Sequence, residues 1–140
     1  MNNLQKAKEI LLQQPYTCVV CKEDTMYTSQ SRGVAPLVEW IQSGTDLTGF
    51  SAADKVIGKA SALLFVMLGI TAVYTPVVSE KAAEVFTQYG IELEYGQKVP
   101  MIINRAGTGP CPMENAVEGI SDPETALQKI QQTLIELNIK

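Results

Sequence analysis

Two lysines near the start of a predicted helix suggest a site for a negatively charged group. Lys55 and Lys59 are four residues apart on one face of that helix, close to its N-terminus, where the helix dipole disfavours cations. Because this placement opposes stability, the lysines and free backbone N–H groups predict a phosphate or carboxylate site. Gly58 favours the close approach of a backbone or ligand. The alternative is that Asp54 and solvent neutralise two surface lysines.

Cys111 is the candidate nucleophile of the sequence. It precedes Pro112 at the predicted start of a short helix, with Glu114 at the capping-box partner position. A helix N-terminus favours the thiolate, which is the form that a nucleophilic cysteine needs. The sequence contains no histidine, which excludes a Cys-His pair and a Ser-His-Asp triad. The base would be Asp54, Glu114 or a lysine, so Cys111 and Asp54 form the candidate catalytic pair. The alternative for Cys111 is a structural or ligand-contacting role.

The sequence indicates neither a metal nor a cofactor. Cys18 and Cys21 lie in a predicted strand, where residues three apart point to opposite faces, so they do not form a redox C-x-x-C motif. We expect them to be buried core thiols. With no histidine, and with only Cys111 beside the diverging Cys18 and Cys21, no four-ligand zinc set assembles. Asp46, Asp54 and Glu114 have no spacing that requires Mg²⁺.

The elements that must position these residues alternate between helix and strand. The central one is a helix over 51–68 that begins polar and ends apolar on all sides, with Ser51 and Asp54 as its capping box. Around it we predict an amphipathic helix before Pro15, a hairpin over 16–22 and 25–29, a helix over 34–42, a strand over 71–75, a helix capped by Ser79, strands over 91–95 and 99–103 joined by a turn at Gly96-Gln97, and helices from Pro112 and Pro123. This order predicts a single α/β domain over 1–140, a three-layer α/β/α sandwich with a mixed five-stranded sheet.

The composition argues against several classes of partner. A net charge of −4 without a Lys/Arg cluster makes nucleic acid and anionic lipid poor partners. The uncharged stretch 60–79 is long enough to span a membrane, but Gly69 and the β-branched residues after it favour a helix followed by a strand. The first residues contain no secretory signal, and the three cysteines fit reduced thiols. We therefore expect a cytoplasmic protein with no membrane segment.

Five segments resemble the bacterial and archaeal domain of unknown function 1893 family. They are SRGVAPLVEWI, DKVIGKASALLFV, TAVYTPVVSEKAAEVF, IELEY and VPMIINRAGTGPCPMEN, and the resemblance covers about residues 16–130. It implies a cytidine deaminase-like fold with a pocket between two helix starts. Zinc deaminases carry H-x-E and P-C-x-x-C there. The corresponding segments 54–56 and 76–79 have neither the metal ligands nor the glutamate, so zinc-dependent deamination is not carried over.

The resemblance also implies where the site residues lie. The pocket would be walled by Asp54, Lys55, Lys59, Ser79, Asn104, Arg105, Cys111 and Glu114, with Arg32 as a more distant candidate. We expect a metal-free protein or enzyme that binds a small anionic, nucleotide-like molecule through Lys55, Lys59 and Arg105. The alternative is a non-enzymatic regulatory or protein-interaction module with a vestigial pocket. Homo-oligomers are common in the implied fold, and the oligomeric state of this chain stays open.

Overall fold

Helices and strands alternate along the chain. The structure is a computed structural model that describes residues 2–31, 33–104 and 107–139. The elements are α1 (Asn3–Gln13), β1 (Cys18–Lys22), β2 (Thr25–Ser29), α2 (Ala35–Gln42), β3 (Ser51–Asp54), β4 (Val56–Ile57), α3 (Lys59–Leu68), β5 (Ala72–Ser79), α4 (Glu80–Gln88), β6 (Glu92–Val99), α5 (Pro112–Ala116) and α6 (Pro123–Ile139). No helix within these residues is long and apolar enough to cross a membrane.

The strands form one mixed sheet, as the sequence predicts. β1 is antiparallel to β2 and to β3, whereas β5 is parallel to β3, β4 and β6. β6 pairs with β5 along its whole length, so β3 and β4 share the other edge of β5, with Lys55 between them. The six strands therefore occupy five positions across the sheet.

Helices cover both faces of this sheet, which confirms the predicted three-layer α/β/α sandwich. α1 packs on one face, where Leu11 contacts a small cluster that includes Val19 and Cys21. The other face carries α3, which packs against α2, α4, α5 and α6. Cys18 belongs to the core on that second face, so the two cysteines of β1 point to opposite sides, as predicted. The narrower assignment to the cytidine deaminase-like folds stays a prediction.

The central helix begins eight residues later than the sequence predicts. Residues 51–57 form β3 and β4, and α3 starts at Lys59. Ala52 and Ala53 are fully buried, one on each face of the sheet, and β3 is hydrogen-bonded on both sides. This tertiary pairing outweighs the helix propensity of alanine. The predicted capping box of Ser51 and Asp54 is wrong, because both residues are in a strand.

The predicted turn at Gly96-Gln97 is also wrong. β6 continues through these residues and stays parallel to β5 as far as Val99. A Cβ at position 96 would lie 2.9 Å from the carbonyl oxygen of Pro76. Gly96 therefore allows two strands to approach closely and does not turn the chain. The predicted returning strand over 99–103 is replaced by a single bridge between Ile103 and Pro110.

Candidate functional site

A cavity of about 520 Å³ lies where β3 ends and α3 begins. Its wall comes from β3, the break before β4, the first turn of α3, the loop before α5, and α6. We call it the Asp54 cavity, and its lining residues are Thr17, Gly33, Val34, Ala35, Asp54, Lys55, Val56, Gly58, Ala60, Ser61, Ile102, Ile103, Cys111, Met113, Glu114 and Leu134. The cavity brings together four residues predicted for the site, Asp54, Lys55, Cys111 and Glu114.

Asp54 is the buried charged residue of this wall. It is the last residue of β3 and only 5% exposed, because β3 lies in the middle of the sheet. Its Oδ2 atom has no hydrogen-bond partner among the described residues. Burial raises the pKa of this carboxyl well above its usual value, and a hydrogen bond from the backbone of Lys55 opposes that shift. A buried polar atom without a partner costs about 1–3 kcal/mol, so Asp54 calls for an explanation beyond stability.

Cys18 is the neighbour of Asp54 across the antiparallel pair of β1 and β3. Burial raises the pKa of the Cys18 thiol well above its usual value, and the nearby Asp54 raises it further. Cys18 is therefore held as a neutral thiol in the core. Cys111 differs, because it is partly exposed and lines the Asp54 cavity at the N-cap position of α5.

Glu114 caps the central helix. Its carboxylate oxygens accept hydrogen bonds from the backbone N–H groups of Lys59 at 2.8 Å and Ala60 at 3.0 Å. Gly58 occupies the N-cap position of α3 and has no side chain to do this. A Cβ on Gly58 would lie 2.5 Å from the carboxyl group of Glu114. A close approach at Gly58 was predicted for a backbone or a ligand, but the approaching group is the side chain of Glu114.

This contact corrects two predictions. Glu114 does not act as the capping-box partner of Cys111, because its carboxylate is used by a different helix. The anion site predicted at the start of the central helix is also wrong in its location. The N–H groups of Lys59 and Ala60 that would bind an external anion are already engaged by a carboxylate of the same chain.

Lys55 and Lys59 do not lie on one helix face. Lys55 is exposed in the break between β3 and β4 and lines the Asp54 cavity, because the helix starts only at Lys59. The Nζ atom of Lys59 donates to the carbonyl oxygen of Val117 at 3.0 Å and lines a second cavity of about 180 Å³. Burial lowers the pKa of Lys59, with a smaller contribution from Lys81. The two lysines therefore face different cavities.

Ser79 and Asn104 do not line the Asp54 cavity. Ser79 lines the second cavity, and its hydroxyl caps α4 by accepting from the N–H of Ala82 at 3.1 Å, as predicted. Asn104 holds its own loop, since its side chain accepts from the backbone of Thr108 at 3.1 Å. Arg32 and Arg105 lie outside the described residues.

Two polar residues of the cavity are missing from the sequence prediction. Ser61 is buried in the first turn of α3 and lines the cavity, and a polar residue inside an otherwise apolar helix is the signal that could have revealed it. Thr17 precedes β1, and its hydroxyl donates to the carbonyl oxygen of Ser29 at 3.1 Å. Nothing local distinguishes Thr17, because only the pairing of β1 with β3 brings it to the cavity.

A family model described as "Domain of unknown function (DUF1893)" matches residues 6–134. The chain belongs to the DUF1893 family. A crystal structure of a DUF1893 family protein from Thermotoga maritima is similar, with 25% sequence identity and a TM-score of 0.82. The superposition covers 96% of this chain and 89% of that chain, so the shared fold extends over nearly the whole molecule. The comparison with curated proteins gave no match.

The contact between Glu114 and the start of α3 can be tested in this DUF1893 chain with a double-mutant cycle. Glu114→Ala should destabilise the fold by about 1–2 kcal/mol, because two N–H groups lose their acceptor. Gly58→Ala should cost at least about 1 kcal/mol, because the new methyl group displaces the carboxylate. In the Glu114→Ala background the cost of Gly58→Ala should fall by more than half. Urea unfolding measures all four proteins.

Gly109→Ala is the control for this cycle. A Cβ at position 109 meets no atom within 4 Å, so this change should alter stability by less than about 0.5 kcal/mol. Equal costs of Gly58→Ala with and without Glu114 would contradict the contact.

Thiol labelling should distinguish the three cysteines. Cys18 and Cys21 are buried, whereas Cys111 is partly exposed, so iodoacetamide should alkylate one thiol in the folded protein and three in denaturant. Mass spectrometry counts the adducts. Cys111→Ser should abolish labelling of the folded protein, and rapid labelling that persists in this variant would show that the core is more open than the structure.

The buried carboxyl of Asp54 should make stability depend on pH. Because the pKa of Asp54 is raised in the folded state, the folded chain holds a proton that the unfolded chain has released above about pH 4. Wild-type stability should therefore fall by up to about 1.4 kcal/mol per pH unit from about pH 4 up to the raised pKa. Asp54→Asn removes this slope, so the variant gains on the wild type as pH rises. Urea unfolding between pH 4 and 8 measures the difference.

Asp122→Asn is the control with the opposite sign. Hydrogen bonds from Thr125 lower the pKa of Asp122, so its stabilising contribution is present above about pH 4 and is lost as the pH falls further. The difference between this variant and the wild type should therefore be constant between pH 5 and 8. If the free energies of unfolding of Asp54→Asn and the wild type change in parallel with pH over that range, the raised pKa of a buried Asp54 carboxyl is refuted.

Proposed function

We propose that this chain is a small-molecule-binding protein whose ligand lies in the Asp54 cavity. The observation that carries the proposal is Asp54, a buried carboxyl on the cavity wall whose Oδ2 atom has no partner among the described residues. Such a group is costly while it lacks a partner. Its cost is offset if the carboxyl rotates to bring Oδ2 to the cavity surface and a ligand supplies the missing hydrogen bond. The volume of about 520 Å³ is within the range of small-molecule sites.

The walls favour a ligand with an apolar body. Aliphatic side chains surround the few polar groups of the cavity, and they come from Val34, Val56, Ile102, Met113 and Leu134. Small-molecule sites are typically built in this way, with apolar walls and a small number of polar groups that orient the ligand. The cavity therefore suits a ligand that combines an apolar, ring-sized body with one polar edge.

The ligand that we propose is anionic and nucleotide-like, with its negative group at Lys55. Lys55 is the only cation among the described residues that line the cavity, and it is exposed. A phosphate or carboxylate would therefore lie at the margin of the cavity, where solvent also hydrates it. The start of α3 is not part of this anion site, because Glu114 occupies its N–H groups.

Cys111 and Asp54 are the groups that a reaction in this cavity would use. Both line the wall, whereas the carboxylate of Glu114 is held by two backbone N–H groups. The thiol would be the nucleophile and Asp54 the acid or base. Binding requires neither step, and the proposal is therefore tested first as binding.

Blocking the cavity at Cys111 tests the proposal. The protein is dialysed against a mixture of water-soluble metabolites, and the molecules that it retains are identified by mass spectrometry. The wild type should retain at least one molecule that is lost after alkylation of Cys111 with N-ethylmaleimide, because the adduct fills part of the cavity. Cys111→Ser treated with the same reagent is the matched control and should keep the molecule.

If the adduct does not change which molecules are retained, or if no molecule is retained, the proposal is overturned and the regulatory or protein-interaction module is favoured.

The anionic part of the proposed ligand is tested separately with mononucleotides and the corresponding nucleosides. Lys55→Gln should weaken mononucleotide binding by about two- to fivefold and leave nucleoside binding unchanged, since an exposed ion pair contributes little. Equal effects on both would remove Lys55 from the site.

A further inference from the structure

We infer that the ligand presents N–H donors to Asp54, as an amine, amide or amidine group carried on an apolar body. This inference rests on the proposed function and specifies the chemistry of the buried edge of the ligand. It concerns the interior of the Asp54 cavity and not the exposed margin at Lys55.

Apart from the thiol of Cys111, the polar side chains of the interior are two carboxyl groups and the hydroxyls of Thr17 and Ser61, and the Ser61 hydroxyl can donate as well as accept. Asp54 carries an oxygen without a partner among the described residues. Because burial favours the protonated acid, a cationic donor binds as this carboxyl releases its proton to solvent, whereas a neutral amide pairs with the acid through one donor and one acceptor. Glu114 is a second carboxyl group of the wall, and its oxygens have further lone pairs beyond those used by α3. The hydroxyl of Thr17 already donates to a carbonyl oxygen, so the capacity that it has left is that of an acceptor. A ligand complementary to such a wall is rich in donors.

An anionic group inside the cavity would meet the opposite conditions. The backbone N–H groups at the start of α3, which would attract it, are covered by Glu114. Lys59 is turned away and bonded to the carbonyl oxygen of Val117. A buried anion would therefore face two carboxyl groups with no cation beside it in the described interior, which is unfavourable in a site with apolar walls.

Three flat molecules of nearly equal size test this inference. Benzamidine carries a cationic donor group, benzamide carries a neutral group with one donor edge and one acceptor, and benzoate carries only acceptors. Binding is measured by ligand-detected NMR and by protection of Cys111 from iodoacetamide, which places the ligand in the cavity. Benzamidine or benzamide should bind at least about tenfold more tightly than benzoate, because a hydrogen bond to a buried carboxyl is at stake.

Asp54→Asn identifies the acceptor. The variant should lose at least about tenfold in benzamidine affinity while benzamide, which can pair with another amide, changes little. Asp24→Asn, the same change at an exposed turn of the hairpin, is the matched control and should leave both affinities unchanged. Should Asp54→Asn fail to fold, the order of the three probes on the wild type still decides the question.

The possible results separate the inference from the proposed function. Benzoate binding as tightly as benzamidine and benzamide would overturn the donor assignment and leave the cavity as a binding site. If none of the three probes protects Cys111 at about 10 mM, which is tenfold above a Kd of about 1 mM, the donor assignment is also overturned. The metabolite dialysis would then decide independently whether the cavity binds anything. Preference for benzamidine over benzamide identifies a cationic ligand, and the reverse order identifies a neutral one.

Discussion

The contact between Glu114 and the first turn of α3 is the constraint on which the site depends. α3 lies at the centre of one face of the sheet and packs against four other helices, and the N–H groups at its start lie in a part-buried contact. Such groups need an acceptor, and the glycine at the N-cap cannot provide one. Glu114 supplies it from α5, which ties this short helix to the centre of the molecule.

This contact also determines the electrostatics of the cavity. A helix start that is open to solvent attracts anions, but here the carboxylate of Glu114 takes that place. The interior is left with carboxyl groups, while Lys55 contributes positive charge at the exposed margin. A ligand that satisfies both regions is polar at its two ends, with donors inside and a negative group outside.

Membership of the DUF1893 family and the similarity to the Thermotoga maritima structure establish the fold of the chain, and they describe no activity. The functional argument therefore depends on the chemistry of the cavity. Among the described residues, no group of three or more His, Cys, Asp and Glu side chains is placed to hold a metal ion. The buried Asp54 and the accessible Cys111 are the candidate reactive groups of the cavity.

The sequence by itself determined the features whose causes are local. The period of apolar residues and nearby caps are enough for α1, the hairpin, the helix capped by Ser79, and α6, because each signal lies within a few residues of its effect. Of the pocket residues that the family resemblance implies, Asp54, Lys55, Cys111 and Glu114 line one cavity, whereas Lys59 and Ser79 line another.

Only the tertiary structure decided the features that depend on distant partners. Residues 51–54 have the composition of a helix and become a strand because β1 and β5 pair with them on both sides. Glycine is typical of turns, but Gly96 lies inside β6 because the backbone of Pro76 passes close to it. Glu114 bonds to a residue 55 positions earlier in the chain, and no local pattern could indicate that partner. The physical reason is the same in each case. Local propensities contribute roughly a fraction of a kcal/mol per residue, and pairing and burial between distant segments outweigh them.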